Sequence, residues 1–307
     1  MGKAFVELIH ERRVPLSIAG AADSRGAIAR EVEPRGLLEL KSSGALPAEV
    51  DPAEVIARTA PDVVVDLMSC DLDTGEPSLT TMFQALERGA SVATATKAPL
   101  ARHWAKLWEA AQSSGVSIGY AGAAGAALPA VAVARALARV DTVGSFEGVL
   151  TGTTTFVLEE MSGGATLEDA VVAAQAAGIA EPDPSVDIGG WDTAAKLVIL
   201  ANTLWDETLD LDQVHVTGLS DDLPERDRDG RIRLIGEAVR STDAVRLNVE
   251  PRTIPTSHPL GRLAGRDKGV LFRGPAIGEV MVAGGSSSPR GAAASVMGDV
   301  LELGGMR

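Results

Sequence analysis

Residues 61–125 read PDVVVDLMSCDLDTGEPSLTTMFQALERGASVATATKAPLARHWAKLWEAAQSSGVSIGYAGAAG. Apolar runs and amphipathic runs take turns along this stretch. Pro61–Ser69 is a continuous apolar run bounded by a proline, the pattern of a strand buried on both faces. Ser78–Gly89 has helical spacing and ends on a glycine stop. Ser91–Thr96 is a second short strand, His103–Gly115 a second helix, and Val116–Gly125 a third strand. Strands alternating with helices at this spacing predict an α/β fold with a parallel, doubly wound, Rossmann-like sheet. Such sheets take ligands beyond the carboxyl ends of their strands. Upstream, Lys3–Arg12 reads as an amphipathic helix. Leu16–Ser24 reads as a further strand ending in an acid, Asp23, and Pro52–Thr59 as a short helix.

Beyond Ala126 the character changes. A helix is expected from Pro129 to Leu137. Ser145–Met161 (SFEGVLTGTTTFVLEEM) mixes β-branched residues and glycines, as a strand passing into a turn or helix would. Asp221–Arg231 is a polar connection, and short strand-like runs recur from Ala244 to Val282. Gly291–Leu303 is a final helix. Two lobes follow: a nucleotide-type lobe over 1–125 plus 285–307, and an α+β lobe over 126–284.

The chain has 307 residues, 45% of them hydrophobic but only 3% aromatic, so its core is built from Ala, Val, Leu and Ile. A net charge of −14 with no basic cluster argues against a nucleic-acid partner. No run approaches the length of a membrane span, and the first residues lack a signal peptide's apolar stretch. Cys70 is the single cysteine, which suits a reducing cytoplasm. One cysteine and the scattered His10, His103, His215 and His258 make a Cys/His zinc site unexpected.

Chemistry concentrates in Gly178–Leu200, GIAEPDPSVDIGGWDTAAKLVIL. The Glu-Pro-Asp-Pro run cannot be helix interior, because each proline lacks an N–H and restrains its predecessor. An acidic loop therefore feeds a helix carrying Asp192 and Lys196, four apart and so on one face. That pair also fits an ordinary surface ion pair. The apolar company of Lys196 argues against it, since a lysine in such a helix needs a partner or a job. Together with Glu181 and Asp187, the segment suits a polar, amine-bearing substrate and proton transfer.

Read as an ordered set, these segments resemble the homoserine dehydrogenase family over nearly the whole chain. ATATKAPLA at 93–101 is similar to the family's lysine-bearing turn. GVLTGTTTF at 148–156 resembles its glycine-threonine substrate loop. GIAEPDPSVDIGGWDTAAKL at 178–197 resembles its most specific signature, and HPLGRLAGRDKGVLF at 258–272 and ASVMGDVLEL at 294–303 follow in order. The resemblance implies an NAD(P)-dependent oxidoreductase of amino-acid biosynthesis that interconverts homoserine and aspartate semialdehyde, or a related amino-alcohol and aldehyde. It makes Lys97 and Lys196 the catalytic lysines. Glu181, Asp187 and Asp192 then surround the substrate amine and hydroxyl, with Gly152 and Thr153 lining the pocket. Gly2, Asp23, Ser69, Thr94 and Gly284 fall at cofactor positions, Asp23 favouring NAD over NADP. A sodium ion on backbone carbonyls near Ala121, Ala124 and Ala126 is implied, as is a homodimer built through the second lobe. The alternative from another class is a non-catalytic homologue that binds an amino acid or a partner subunit.

The chain departs from the family pattern at several points. The GxGxxG fingerprint and the strand before it are absent, Gly2 resembling only the motif's last glycine. The expectation is a start placed inside the coding frame rather than a shortened protein. No kinase segment or regulatory extension is expected to flank it. Thr96, Thr151 and Thr155 replace typical asparagines, Ile179 a frequent tyrosine and Ala121 an acid. Ser286, Ser287 and Ser288 stand where a glycine-rich turn is common, and Lys268 replaces a frequent Asn. These changes bear on substrate identity more than on fold.

Overall fold

The computed structural model describes residues 1–44, 46–225, 229–285 and 287–305. Ser286, and residues 226–228 of the polar connection, lie outside the described residues. In chain order the first elements are α1 (Gly2–Arg12), β1 (Ala21–Asp23), β2 (Gly26–Ile28), α2 (Pro34–Ser42), α3 (Val55–Thr59) and β3 (Val63–Asp66). Then come α4 (Ser78–Glu87), β4 (Ser91–Thr94), α5 (Ala98–Arg102), α6 (Trp104–Ser114), β5 (Ile118–Gly119) and α7 (Ala121–Gly125). They are followed by α8 (Ala130–Ala138), β6 (Ser145–Val149), α9 (Gly152–Ser162), α10 (Leu167–Ala176), α11 (Ser185–Ile188) and α12 (Trp191–Trp205). The remainder is β7 (Val214–Val216), β8 (Gly230–Arg240), β9 (Val245–Pro255), β10 (Gly269–Gly274), β11 (Gly278–Ala283) and α13 (Pro289–Leu303). The chain divides into two units, Met1–Ala127 with Ser288–Arg307, and Leu128–Ser287.

In the first unit β3, β4 and β5 form a parallel sheet in that order. The period of two sends Val63, Val65, Ala93 and Ala95 to one face. There they pack with Phe5, Leu8 and Ile9 of α1 and with Val296, Met297 and Val300 of α13. Asp66 and Thr94 face the other way and meet α4. The buried Asp66 carboxylate accepts from Ser78 Oγ at 2.5 Å and Thr94 Oγ1 at 2.8 Å. The α/β class read from the sequence holds.

Two expected strands are not formed as read. Leu16–Ser24 contributes only β1, which pairs antiparallel with β2 instead of joining the parallel sheet. Asp23 causes the reversal, since its Oδ1 accepts the N–H groups of Arg25 at 2.7 Å and Gly26 at 3.1 Å and so closes a tight turn. Val116–Gly125 yields the two-residue β5 and then the helical turn α7. A Cβ on Gly119 would lie 2.6 Å from Asp299 Cβ, and the Ala121 N–H donates to Asp299 Oδ2 at 2.8 Å. Small residues let α13 come close at this point, and its aspartate ends the strand.

The second unit is a six-stranded sheet in the order β11-β10-β6-β8-β9-β7, antiparallel except for β7 beside β9. One face is apolar. Phe146 stacks obliquely on Trp205 and Phe272, with centroids 5.7 Å and 5.6 Å apart, and Trp205 Nε1 donates to the Val143 carbonyl at 2.8 Å. The other face carries charge. The nearly buried Glu147 takes Arg252 Nη2 at 3.1 Å, Arg273 Nη2 at 2.6 Å and His258 Nε2 at 3.3 Å. Neither β8 nor α10 was among the elements read from the sequence.

Candidate active site

The helix α12 starts where two glycines allow close backbone approach. Gly190 has φ +82°, and a Cβ there would meet Val216 Cγ1 at 3.0 Å. A Cβ on Gly218 would sit 2.9 Å from the Cα of Gly189, and the Leu219 N–H reaches the Ile188 carbonyl at 2.8 Å. This packing fixes the first turn of α12 and with it Asp192. Thr193 to Asn202 are buried apart from Lys196, which is half-buried. Such a helix is held by burial on nearly all sides rather than by one apolar stripe.

Lys196 Nζ donates to Asp192 Oδ2 at 2.5 Å and to the Leu150 carbonyl at 2.9 Å. Their side chains are only 13% and 10% exposed. Burial of an ammonium is tolerated because a carboxylate and a carbonyl replace its water. The expected surface-pair alternative is thereby set aside. Leu150 sits between β6 and α9. Thr151 caps that helix in extended conformation, and its Oγ1 donates to Asp187 Oδ1 at 3.4 Å. Thr154 and Thr155 hydroxyls return to the Thr151 carbonyl at 3.3 and 3.1 Å. Gly152 opens α9 where a Cβ would lie 3.1 Å from the Arg266 carbonyl. Lys196, Asp192, Leu150, Thr151, Gly152 and Asp187 thus form one constellation, and the N–H groups of the first turn of α9 add anion donors to it.

Lys268 joins this constellation although the sequence reading did not assign it a role. It stands one residue before β10, just beyond the β6–β10 pair Val149 with Gly269, so the ladder brings it beside Leu150. It is 3% exposed. Burial and the neighbouring Lys196 ammonium push its pKa down to about 8, against the opposing pull of Asp192. A lysine heading an apolar strand is the signal that could have found it.

The other expected positions are more dispersed. Glu181 is exposed on the loop before α11, its backbone carbonyl held by Gln175 Nε2 at 3.2 Å. Thr153 follows Gly152 in the first turn of α9. Gly284, at φ +101°, donates its N–H to the Lys268 carbonyl at 2.9 Å. In the first unit, half-buried Lys97 precedes α5, with Pro99 in that helix's first turn. Burial raises the Cys70 thiol pKa, although the nearby Lys97 charge pulls it down. Ser69 is exposed after β3, while the Thr94 hydroxyl is committed to Asp66. Asp23 ends β1 and pairs with Lys41. Burial pushes its carboxyl up, but Lys41 and the turn N–H groups outweigh that and hold it low. Ala121 and Ala124 lie in α7, and the Ala126 carbonyl accepts Ser295 Oγ at 2.5 Å.

The first unit also fits a dinucleotide. The first turn of α1, containing Gly2, carries no acidic side chain, and nothing lies within 4 Å of a Cβ placed on Gly2. Its unpaired N–H groups are donors of the kind a pyrophosphate takes. Val6 of α1 and Ala21 of β1 pack on one cluster, which ties that helix to the strand ending in Asp23, an acid suited to a ribose hydroxyl.

Comparison with known proteins agrees. Residues 129–301 match the model of the homoserine dehydrogenase family, and residues 1–121 match the homoserine dehydrogenase NAD-binding domain. The chain is 33% identical to the homoserine dehydrogenase of Sulfurisphaera tokodaii over 301 residues, covering 94% of this chain and 93% of that one. It is 34% identical to an NAD(+)-dependent homoserine dehydrogenase of Pseudomonas canavaninivorans over 255 residues, 81% of this chain and 72% of the relative. A hyperthermophilic archaeal homoserine dehydrogenase solved in complex with NADPH superposes with a TM-score of 0.86 at 26% identity, covering 99% of this chain and 94% of that one. On fold, on signature and on both matched domains, the chain belongs to the homoserine dehydrogenase family.

Proposed function

We propose that this chain interconverts homoserine and aspartate semialdehyde as an NAD(P)-dependent oxidoreductase. The observation that carries the reading is the Lys196 amine, held by Asp192 and the Leu150 carbonyl inside the family's signature segment. The nicotinamide supplies the hydride acceptor or donor. As its ammonium, Lys196 gives a proton to the substrate oxygen in reduction, and the amine left behind takes the hydroxyl proton back in oxidation. Asp192 and Leu150 fix the position of Nζ. The N–H groups opening α9 suit the substrate carboxylate, and Asp187 with Glu181 suits its ammonium. Lys97 is the second catalytic lysine by the family pattern. No feature of the site favours the binding-only alternative. The test is spectrophotometric: purified protein with homoserine and NAD+ or NADP+ is expected to produce the reduced cofactor. No turnover in either direction with either cofactor would remove the reading.

The same reading includes NAD preferred over NADP, a homodimer and a cytoplasmic location. Asp23 supports the first, since a carboxylate beside the ribose repels a 2′-phosphate, an effect that its partner Lys41 reduces. Asp23→Ser is expected to shift the NAD to NADP ratio of kcat/KM toward NADP by about tenfold, or about 1.4 kcal/mol. An unchanged ratio would leave Asp23 with only its turn-closing role. The single cysteine supports a reducing compartment, and the dimer is checked by mass in solution.

A further inference from the structure

We propose that Lys268 is a positioning residue of this site, a second buried cation beside the Lys196–Asp192 pair that supports negative charge developing on the substrate oxygen. The inference rests on the oxidoreductase reading above. Its geometric basis is threefold. The β6–β10 ladder sets Lys268 next to Leu150, whose carbonyl holds Lys196. The Gly284 N–H pins the Lys268 backbone from the other side at 2.9 Å. The Arg266 carbonyl abuts Gly152, which locks the approach to Lys268 against the start of α9.

Lys196 and Asp192 face it from α12. Asp187 of α11 lies beyond them on the Thr151 hydroxyl, and the adjoining Arg266 and Asp267 are exposed. Glu279 of β11 is occupied with Arg273 at the far end of that strand. Asp192 faces both ammoniums, and Asp187 lies beyond it. In this buried setting the Lys268 charge counts for more than it would in water. Loss of the Lys268 proton near pH 8 removes that charge from the site. Aldehyde reduction and alcohol oxidation share one transition state with negative charge on the substrate oxygen, so loss of the Lys268 charge above that pH slows both.

The test compares wild type with Lys268→Asn and Lys268→Arg across pH in both directions. The ratio of wild-type to Lys268→Asn kcat for aldehyde reduction is expected to be between about tenfold and a hundredfold at pH 6.5, less than for a donor touching the oxygen. It should fall toward one above pH 9, because wild type has then lost the same charge. Lys268→Arg, whose guanidinium does not titrate in this range, should hold reduction up to higher pH. A ratio that does not change with pH would reduce Lys268 to a packing role and overturn the inference. A readout free of turnover accompanies it. In protein labelled with 13C at lysine Cε, one signal should titrate near pH 8 and vanish in Lys268→Asn. Ordinary titration of every lysine would also overturn the inference, whereas a wild type that does not turn over would strike the functional reading alone.

Discussion

Lys196→Met is expected to lower kcat by about a thousandfold, within the range for losing a general acid–base. It is also expected to lower stability, which a surface lysine would not do. Asp192 would lose its ammonium while its side chain is 10% exposed. Breaking a buried pair from one side costs about 3–5 kcal/mol, and the Lys268 charge that still faces Asp192 makes this an upper limit. The double variant Lys196→Met with Asp192→Asn separates the two effects. It should regain part of the lost stability, since Asp192 no longer carries a charge, and regain none of the turnover. Steady-state kinetics and urea denaturation on the three proteins decide the matter. Wild-type turnover in the single variant would remove Lys196 from the chemistry.

Glu147→Gln should destabilise the protein by about 3–5 kcal/mol without touching the site. Arg252, Arg273 and His258 converge on that one carboxylate. An amide keeps its shape but leaves the half-buried Arg252 and Arg273 guanidiniums without the carboxylate between them. Arg252 can still use Glu237 at 3.2 Å and Arg273 can still use Glu279 at 2.8 Å, which sets the upper limit of the loss. Removal of the exposed Arg246, 3.6 Å from Glu237, should cost under about 1 kcal/mol and serves as the control. Equal losses from both substitutions would mean that burial does not strengthen the Glu147 cluster.

Elements with a clean period were readable in the sequence. Val63–Asp66 and Ser91–Thr94 are apolar runs between helical runs, and both are strands. β8 escaped because its run, GRIRLIGEAVR, places an arginine, Arg233, at an inward position. Arg233 is buried, with Nη2 on the Leu263 carbonyl at 2.8 Å and on Glu159 at 3.0 Å, and no residue-level pattern announces such partners. α10 was readable in principle, because Thr166 caps it and Asp169 follows three residues on. The reversal at Asp23 was hidden by the apolar run around it. In the site, the four-residue spacing of Asp192 and Lys196 is visible in sequence. The Leu150 carbonyl is not, because a main-chain acceptor has no residue type.

The packing of α13 against α1, β4 and Gly119 has a consequence for how the chain is made. The first unit is assembled from two stretches that flank the second in sequence, whereas the second is one continuous stretch. On the ribosome, residues 128–287 can therefore collapse while the nucleotide-type sheet still waits for Val296, Met297 and Val300 to cover one face. Until α13 emerges, the apolar side of β3 and β4 is screened by α1 and by Val14, Leu16 and Ile18 alone among the described residues that precede the second unit. That interval leaves an apolar sheet face open to aggregation, and a chaperone would find its binding surface there.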